Sequence, residues 1–142
     1  MQVENEFGAF ILDGSVAIAW FMPDEPENDL LHRTAVEGAW APMIWAMEVG
    51  NALSNAVRRK RIDLSARNRA LDRLGVLPIR IDRSTLVHAW RSTLELADRL
   101  NLTLYDACYL ELAQRRELPL ATLDKDLRKA ANALDIPLLG VE

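Results

Sequence analysis

The sequence predicts an α/β protein with a parallel sheet and helices on both faces, and three observations predict it. Residues 10–12 form a short apolar run without polar alternation, which is typical of a strand buried on both faces. Similar runs recur along the chain and alternate with segments of helical periodicity. The first run ends at Asp13, a carboxylate that needs a partner, hydrogen bonds or a metal, because an isolated charge is costly to bury.

The predicted elements follow one another at short intervals along the whole chain. Strands are predicted at residues 10–12, 39–42, 77–81, 118–123 and 136–141. Helices are predicted at residues 15–21, 30–38, 43–61, 65–75, 84–100, 104–117 and 124–134. An acidic loop that contains proline is expected at residues 23–29. This alternation of strand and helix is the pattern of a parallel sheet.

Individual residues justify the boundaries of these helices. Ser15, Ser65 and Ser84 are interpreted as N-caps, because a serine hydroxyl can accept a hydrogen bond from the first turn. Pro42 is placed in the first turn of the third helix, where its missing N–H costs nothing. Gly38 ends the second helix.

Length and composition favour a single domain over residues 1–142. Half of the residues are apolar and about a quarter are charged, which is typical of a globular chain with a packed core. No apolar run reaches the ~20 residues that a membrane span needs. Residues 1–8 carry two acids and no basic residue, so we do not expect them to form a signal peptide. The lone Cys108 favours a reducing, cytoplasmic setting and a place in the core.

The tryptophans fall mostly within apolar patterns. Trp20, Trp45 and Trp90 are therefore predicted to lie in the core. Trp40 precedes a proline, and its pattern does not decide between core and surface.

Four carboxylates are predicted at strand ends or in first helical turns. Asp13 follows the first strand and Asp124 the fourth, so the two would meet if these strands are neighbours. Glu48 lies in the first turn of the third helix and Asp106 in that of the helix that begins near residue 104. All four could therefore lie at one edge of the sheet.

Each of these acids also has a purely structural explanation. Asp124 fits a helix N-cap, and Asp106 fits a capping box with Thr103. Glu48 and Asn51 belong to one polar row that could simply face solvent. The sequence leaves both explanations open.

Clustered carboxylates repel one another, and either a raised pKa or a divalent cation can relieve that repulsion. Oxygen-only ligands suit Mg²⁺ or Mn²⁺, and either ion would relieve the mutual repulsion. A zinc site is not indicated, because His32 and His88 are far apart along the chain.

The basic residues are concentrated in one stretch. Residues 58–83 hold nine basic and three acidic residues, whereas residues 1–57 hold nine acids and only one basic residue. The block Arg58, Arg59, Lys60 and Arg61 could bind the backbone of an RNA or be a solvated helical face. The net charge of −4 argues against a protein that simply coats DNA.

Four short segments resemble the PIN-domain ribonucleases, most closely the VapC toxins of type II (VapBC) toxin–antitoxin pairs. In chain order they are ILDGS at 11–15, EVGNAL at 48–53, LYDA at 104–107 and ATLDKDL at 121–127. The resemblance implies a three-layer α/β/α PIN-like fold with a five-stranded parallel sheet and the first strand at its centre. It implies an acidic quartet that is both catalytic and metal-binding: Asp13, Glu48, Asp106 and Asp124.

The resemblance also implies the supporting residues and the activity. Ser15, Asn51 and Thr122 would support the acids, and Asp126 competes with Asp124 as the fourth acid. The implied function is Mg²⁺- or Mn²⁺-dependent hydrolysis of RNA by one or two ions, in a homodimeric toxin. Its partner would be a small VapB-like antitoxin that inserts a basic side chain among the acids.

Two other functions compete with this hypothesis. A phosphoacceptor, receiver-like domain would also bind Mg²⁺ at an acidic site, but it needs a lysine after its last strand, and nothing basic follows residue 136. A non-catalytic PIN-like module would bind RNA or a protein without turnover.

Overall fold

A computed structural model describes residues 8–25 and 29–140 of the chain. Its strands are β1 Ile11–Leu12, β2 Ala39–Pro42, β3 Ile79–Asp82, β4 Leu120–Ala121 and β5 Leu138–Leu139. They form one parallel sheet in the order β3-β2-β1-β4-β5. The parallel sheet and the central place of the first strand are thereby confirmed.

Helices flank this sheet and produce the predicted three-layer α/β/α architecture. They are α1 Gly14–Ala19, α2 Leu30–Glu37, α3 Trp45–Arg58, α4 Leu64–Val76, α5 Thr85–His88, α6 Leu94–Leu100, α7 Leu104–Arg116 and α8 Lys125–Ala133, and a kinked segment Ala89–Thr93 joins α5 to α6.

The core is centred on β1 and α7. Phe10, Ile11 and Leu12 are fully buried, because the central strand is covered on both of its faces. Helix α7 packs on β1, β2 and β4, and its middle is buried all round. Cys108 is among these buried residues, and burial raises the pKa of its thiol to about 11, so the thiol stays protonated.

The sheet order brings the ends of β1 and β4 side by side. Leu12 pairs with Ala121, and the backbone N–H of Asp13 donates to Ala121 O at 3.0 Å. An order of 3-2-1-4-5 also differs from the 2-1-3-4-5 order of receiver-type folds, which argues against the phosphoacceptor alternative.

The structure corrects the predicted start of several helices. Asp13, and not Ser15, holds the N-cap position of α1. Asp63 caps α4 through a 2.7 Å hydrogen bond from Ala66 N, so Ser65 lies within the first turn. Asp63 and Ser65 are both good N-cap residues, so the geometry of the chain, and not residue type, sets this helix start.

Two further boundaries differ from the prediction. Pro42 is the last residue of β2 and not in the first turn of a helix, because α3 begins only at Trp45. Ser84 does hold the N-cap position of α5, but its side chain makes no cap hydrogen bond.

The helix predicted over residues 84–100 is broken by a kink. Arg91 has non-helical φ and ψ of −120° and −109°, so α5 and α6 are separate helices on either side of it. Trp90, directly before the kink, is 86% exposed, so its predicted place in the core is wrong, whereas Trp45 is buried and Trp20 packs against the core.

Some predictions fall partly outside the described residues. These are the N-terminal segment before residue 8, the middle of the acidic loop and the end of the last strand. Among the helices of residues 8–25 and 29–140, none is both long enough and apolar enough to cross a bilayer.

Candidate active site

The carboxylate of Asp13 is held by hydroxyls from two strand ends. Its Oδ2 accepts 2.7 Å hydrogen bonds from Ser15 Oγ and from Thr122 Oγ1. Each hydroxyl also accepts a backbone N–H, at 3.0 Å from Leu123 and at 3.1 Å from Asp124. The two hydroxyls therefore join the end of β1 to the end of β4 and give Asp13 one orientation.

The electrostatic environment of Asp13 opposes its ionisation. The residue is only 8% exposed, and burial is the main cause that raises the pKa of its carboxyl. The hydrogen bonds from Thr122 and Ser15 lower that pKa, and the charge of Asp124 raises it. The pKa of the Asp13 carboxyl is raised overall, so these two hydrogen bonds do not fully compensate the cost of burying its charge.

Glu48 is held by a residue that the sequence analysis missed. The Tyr109 hydroxyl, on α7, donates a 2.7 Å hydrogen bond to Glu48 Oε1 in the first turn of α3. Burial, followed by the charges of Asp13 and Asp106, raises the pKa of Glu48, and the Tyr109 hydrogen bond lowers it. The only sequence signal for Tyr109 is its position one helical turn after Asp106.

Asp106 lies in the first turn of α7, facing the same group of acids. The predicted cap is present, because Thr103 Oγ1 accepts from Asp106 N at 3.1 Å. Burial raises the pKa of the Asp106 carboxyl, and the charges of Asp124 and Asp13 raise it further. Asp106 is therefore both a first-turn residue of a capped helix and a neighbour of the other acids.

Asp124 is both the N-cap of α8 and a neighbour of the other acids. Its Oδ1 accepts from Leu127 N at 2.9 Å and caps α8, as one of the two explanations predicted. Its charge acts on both Asp13 and Asp106, whereas the charge of Asp126 is the smallest influence on Asp106. This favours Asp124 over Asp126 as the fourth acid.

These four residues, Asp13, Glu48, Asp106 and Asp124, are called the acid cluster below. Among the described residues, no lysine, arginine or histidine forms an ion pair with any of them. Their mutual repulsion therefore has no counter-charge within that part of the chain.

A divalent cation fits the acid cluster in charge and in donor chemistry. All the side-chain donors are carboxylate oxygens, which Mg²⁺ and Mn²⁺ prefer. However, no three histidine, cysteine, aspartate or glutamate side chains are arranged to hold a metal within residues 8–25 and 29–140. The carboxylates are thus neighbours whose side chains would have to turn toward an ion or reach it through water.

Two other predicted groups, Asn51 and the basic block, make no contact with the acid cluster among the described hydrogen bonds and ion pairs. Asn51 is exposed on α3, and no hydrogen bond joins it to the four acids in the described structure. The basic block, residues 58–61, begins ten residues after Glu48, about 15 Å along the helix axis. Its Arg61 pairs with Asp24 at 2.8 Å. The structure does not bring this block to the acid cluster.

The protein has a parallel α/β sheet, and its four carboxylates lie near the ends of the strands. It therefore belongs to the class of open α/β proteins whose ligand site lies beyond the carboxyl ends of the strands. The chain matches the family model described as PIN domain over residues 10–133, and it therefore belongs to the PIN domain family. Members of this family are generally nucleases.

Solved structures share the fold at low sequence identity. The structure described as PAE2754 from Pyrobaculum aerophilum has a TM-score of 0.64 and 24% identity, covering 87% of this chain and 79% of that chain. The structure of FitAcB from Neisseria gonorrhoeae has a TM-score of 0.62 and 17% identity, covering 92% and 96%. No curated protein sequence matches this chain.

Proposed function

We propose that this protein is a Mg²⁺- or Mn²⁺-dependent endoribonuclease and the VapC-type toxin of a type II toxin–antitoxin pair. The observation that carries the proposal is the electrostatic coupling of four carboxylates that come from β1, α3, α7 and the start of α8. Membership of the PIN domain family supports a nuclease. The order and identity of the four motifs support the toxin.

In this proposal the acids hold the cation. Asp13 and Asp106 are the main ligands, directly or through water, and Glu48 and Asp124 complete the site or orient bound water. A bound cation would lower the pKa of a water molecule and neutralise charge on the leaving oxygen of the phosphodiester.

The chain itself would supply orientation. Ser15 and Thr122 donate to Asp13 and stabilise its ionised form, the form that a cation requires. Tyr109 fixes one oxygen of Glu48, so the second oxygen has a defined direction. These contacts lessen the reorganisation that ion binding would demand.

The proposed biological setting follows from the motif resemblance. An acid cluster without a counter-charge among the described residues could receive a basic side chain from a VapB-like antitoxin. We further propose a single domain over residues 1–142, a homodimer and a cytoplasmic location. Growth arrest of a bacterial host by the wild type, and not by Asp13→Asn, tests the toxin role.

An RNA cleavage assay tests the nuclease. Wild-type protein should cut single-stranded RNA with Mg²⁺ or Mn²⁺, EDTA should abolish cutting, and Asp13→Asn should lower the rate about a hundredfold or more, because a metal supplies several kcal/mol of charge stabilisation. Asp72→Asn is the matched control, since Asp72 is an exposed aspartate on α4. Undiminished cutting in EDTA would reject the proposed chemistry.

One observation favours a second candidate, the non-catalytic PIN-like module. The described side chains do not converge as a ready-made metal site does. RNA binding that persists without turnover at any Mn²⁺ concentration would favour this module.

A further inference from the structure

We infer that a pocket between the α6–α7 turn and α8 binds a nucleobase that carries an exocyclic amino group, next to the phosphodiester held at the acid cluster. Residues 100–102 line this pocket from the turn, and residues 126, 129, 130 and 133 line it from α8. It is called the base pocket below. The inference rests on the proposed RNA-cleaving function and names the part of the substrate that would set a sequence preference.

The base pocket has apolar walls and a size that suits one planar ring. Its volume is about 320 Å³, which lies within the range of ~300–1,000 Å³ found for small-molecule sites. Four of its lining residues are apolar: Leu100, Leu102, Ala130 and Ala133. The two alanines leave space beside α8 that longer side chains would occupy. The apolar faces of a nucleobase can lie against such walls.

Three polar side chains line the same pocket. Asn101, Asp126 and Lys129 are all exposed. Within residues 8–25 and 29–140, none of the three side chains forms a hydrogen bond or an ion pair with another side chain. Apolar walls with a few convergent polar groups are typical of a ligand site, because the polar groups fix the orientation of the ligand.

The backbone fixes the position of Asn101 at this pocket. Asn101 is the C-cap of α6 in the left-handed conformation, with φ 57° and ψ 48°, which asparagine tolerates better than most residues. The N–H of Leu102 donates to Ala97 O at 3.0 Å, and Thr103 then caps α7. Two helix ends therefore hold the turn that carries Asn101.

The base pocket adjoins the acid cluster on both of its walls. Asp126 follows Asp124 by two residues, a rise of ~3 Å along α8. Burial, Asp124 and Asp13 raise the pKa of Asp106, and the charge of Asp126 adds to them. Asn101 precedes Asp106 by five residues, and α7 packs against α8. A phosphodiester at the acid cluster would thus bring an attached base to this pocket.

The polar groups determine which bases fit. The carboxylate of Asp126 can only accept hydrogen bonds, and Oδ1 of Asn101 is a second acceptor. An exocyclic amino group has two N–H donors, and aspartate and asparagine are residues that recognise such groups in nucleic acids. Uracil has a carbonyl oxygen at that position, which the carboxylate repels. Lys129 offsets the charge of Asp126, so the pocket itself does not repel a nucleotide.

The test is the binding of mononucleotides, which contain no phosphodiester to cut. The probes are the 3′- and 5′-monophosphates of cytidine and uridine in Mg²⁺, because the two bases differ only along one edge. Amide NMR spectra give both the dissociation constant and the residues affected. We expect a cytidine nucleotide to bind about tenfold more tightly than its uridine counterpart, as for a hydrogen bond to a charged acceptor, and to shift the signals of residues 100–102 and 126–133.

Two variants assign this preference to the pocket. Asp126→Asn should remove the preference for cytidine, because an amide can also donate to the carbonyl of uracil. The ratio of the two dissociation constants is the readout, since any effect on Mg²⁺ is common to both nucleotides. Asn101→Gly removes the amide and suits the left-handed backbone, and it should weaken the binding of cytidine nucleotides about fivefold, the loss of one neutral hydrogen bond.

Glu117→Gly is the matched control for Asn101→Gly. Glu117 is the exposed, left-handed C-cap of α7 and does not line the pocket. This variant should bind both nucleotides like the wild type. Equal affinities for cytidine and uridine nucleotides, signal shifts confined to other residues, or no nucleotide binding by the wild type would overturn the inference.

These measurements separate the inference from the proposed function. If the wild type cuts RNA but binds cytidine and uridine nucleotides equally, the base pocket is wrong and the nuclease remains. If Asp126→Asn removes a preference for cytidine while the wild type never cuts RNA, the base pocket stands and the nuclease is wrong. Methylguanidinium binding at these residues, without nucleotide binding, would overturn the base pocket in favour of a basic side chain from a protein partner.

Discussion

The hydroxyl of Tyr109 donates a 2.7 Å hydrogen bond to Oε1 of Glu48 and joins two helices whose residues are 61 positions apart. Tyr109 is fully buried, and burial together with the charges of Asp13 and Glu48 raises the pKa of its hydroxyl. The hydroxyl therefore remains protonated and acts as a donor. One acid of the cluster is thus oriented from α7, the helix that also carries Asp106.

Tyr109→Phe should lower the affinity for Mn²⁺ about tenfold, the lower range for losing a hydrogen bond to a metal ligand. The ring remains in the core, and only the contact to Glu48 is lost. Isothermal titration calorimetry measures the affinity without any need for turnover. Tyr105→Phe is the matched control, since Tyr105 is exposed on the same helix. Equal affinities in the two variants would contradict the role assigned to Tyr109.

Thr122→Val should destabilise the protein by about 1–3 kcal/mol, because the variant removes one of the two hydroxyls that donate to the buried Asp13 carboxylate and leaves the Asp124 amide without its acceptor. Val matches Thr in shape but has no hydroxyl. Urea denaturation in EDTA measures the loss. Thr122→Ser keeps the hydroxyl and should recover most of the stability; if it is as unstable as Thr122→Val, packing and not the hydrogen bonds explains the effect.

The metal-free protein should lose stability as the pH rises above about 4. In the folded state the pKa values of Asp13, Glu48 and Asp106 are raised above 3.8 or 4.5, chiefly by burial. The folded protein therefore binds more protons than the unfolded chain across that window, and the free energy of unfolding falls with increasing pH. Urea denaturation in EDTA at a series of pH values measures the slope.

Two changes should flatten that slope. Asp13→Asn removes one of the raised carboxyls, and Mn²⁺ supplies a counter-charge. Asp82 does not interfere, because its pKa is lowered: burial would raise it, but Arg115 outweighs burial, so its contribution is lost only as the pH falls below 3.8. A slope unchanged in Asp13→Asn would show that other groups cause the pH dependence.

Arg115→Met should destabilise the fold by about 3 kcal/mol, the lower end for a broken buried ion pair, because the buried Asp82 and Glu111 lose their closest cation and Asp82 keeps the 3.3 Å contact with Arg116. Arg115 pairs with Asp82 and, at 2.7 Å, with Glu111 Oε2. The double variant Arg115→Met, Asp82→Asn should recover part of this loss, since one of the stranded charges is gone. Thermal unfolding of the two variants measures the difference, and equal stability would contradict a charge effect.

Trp90→Gln should change the free energy of unfolding by less than about 0.5 kcal/mol, as expected of an exposed position. Trp45→Ala, by contrast, should cost about 3–5 kcal/mol, since Trp45 is 8% exposed and packs in the core. Chemical denaturation of both variants tests the position of the kink at Arg91. A large loss in Trp90→Gln would restore the continuous helix predicted from sequence.

Much of the fold could be predicted because its signals are local. The run at residues 10–12 and the helical periodicities express burial of neighbouring residues, and these patterns placed every strand close to its observed position. Helix starts were less predictable, because Asp63 and Ser65 are both good caps and only geometry chooses between them. The kink at Arg91 leaves no clear periodic signal, so the prediction placed Trp90 in the core.

The sequence by itself determined the α/β class, the order of the elements and the four carboxylates at strand ends or first turns. Only the tertiary structure decided that Thr122 and Ser15 share Asp13, that Tyr109 holds Glu48, and that the α6–α7 turn and α8 line one pocket. The physical reason is range: backbone preference and hydrophobic periodicity act between residues close in the chain, whereas these contacts depend on the order of strands in the sheet and the packing of α7 upon it.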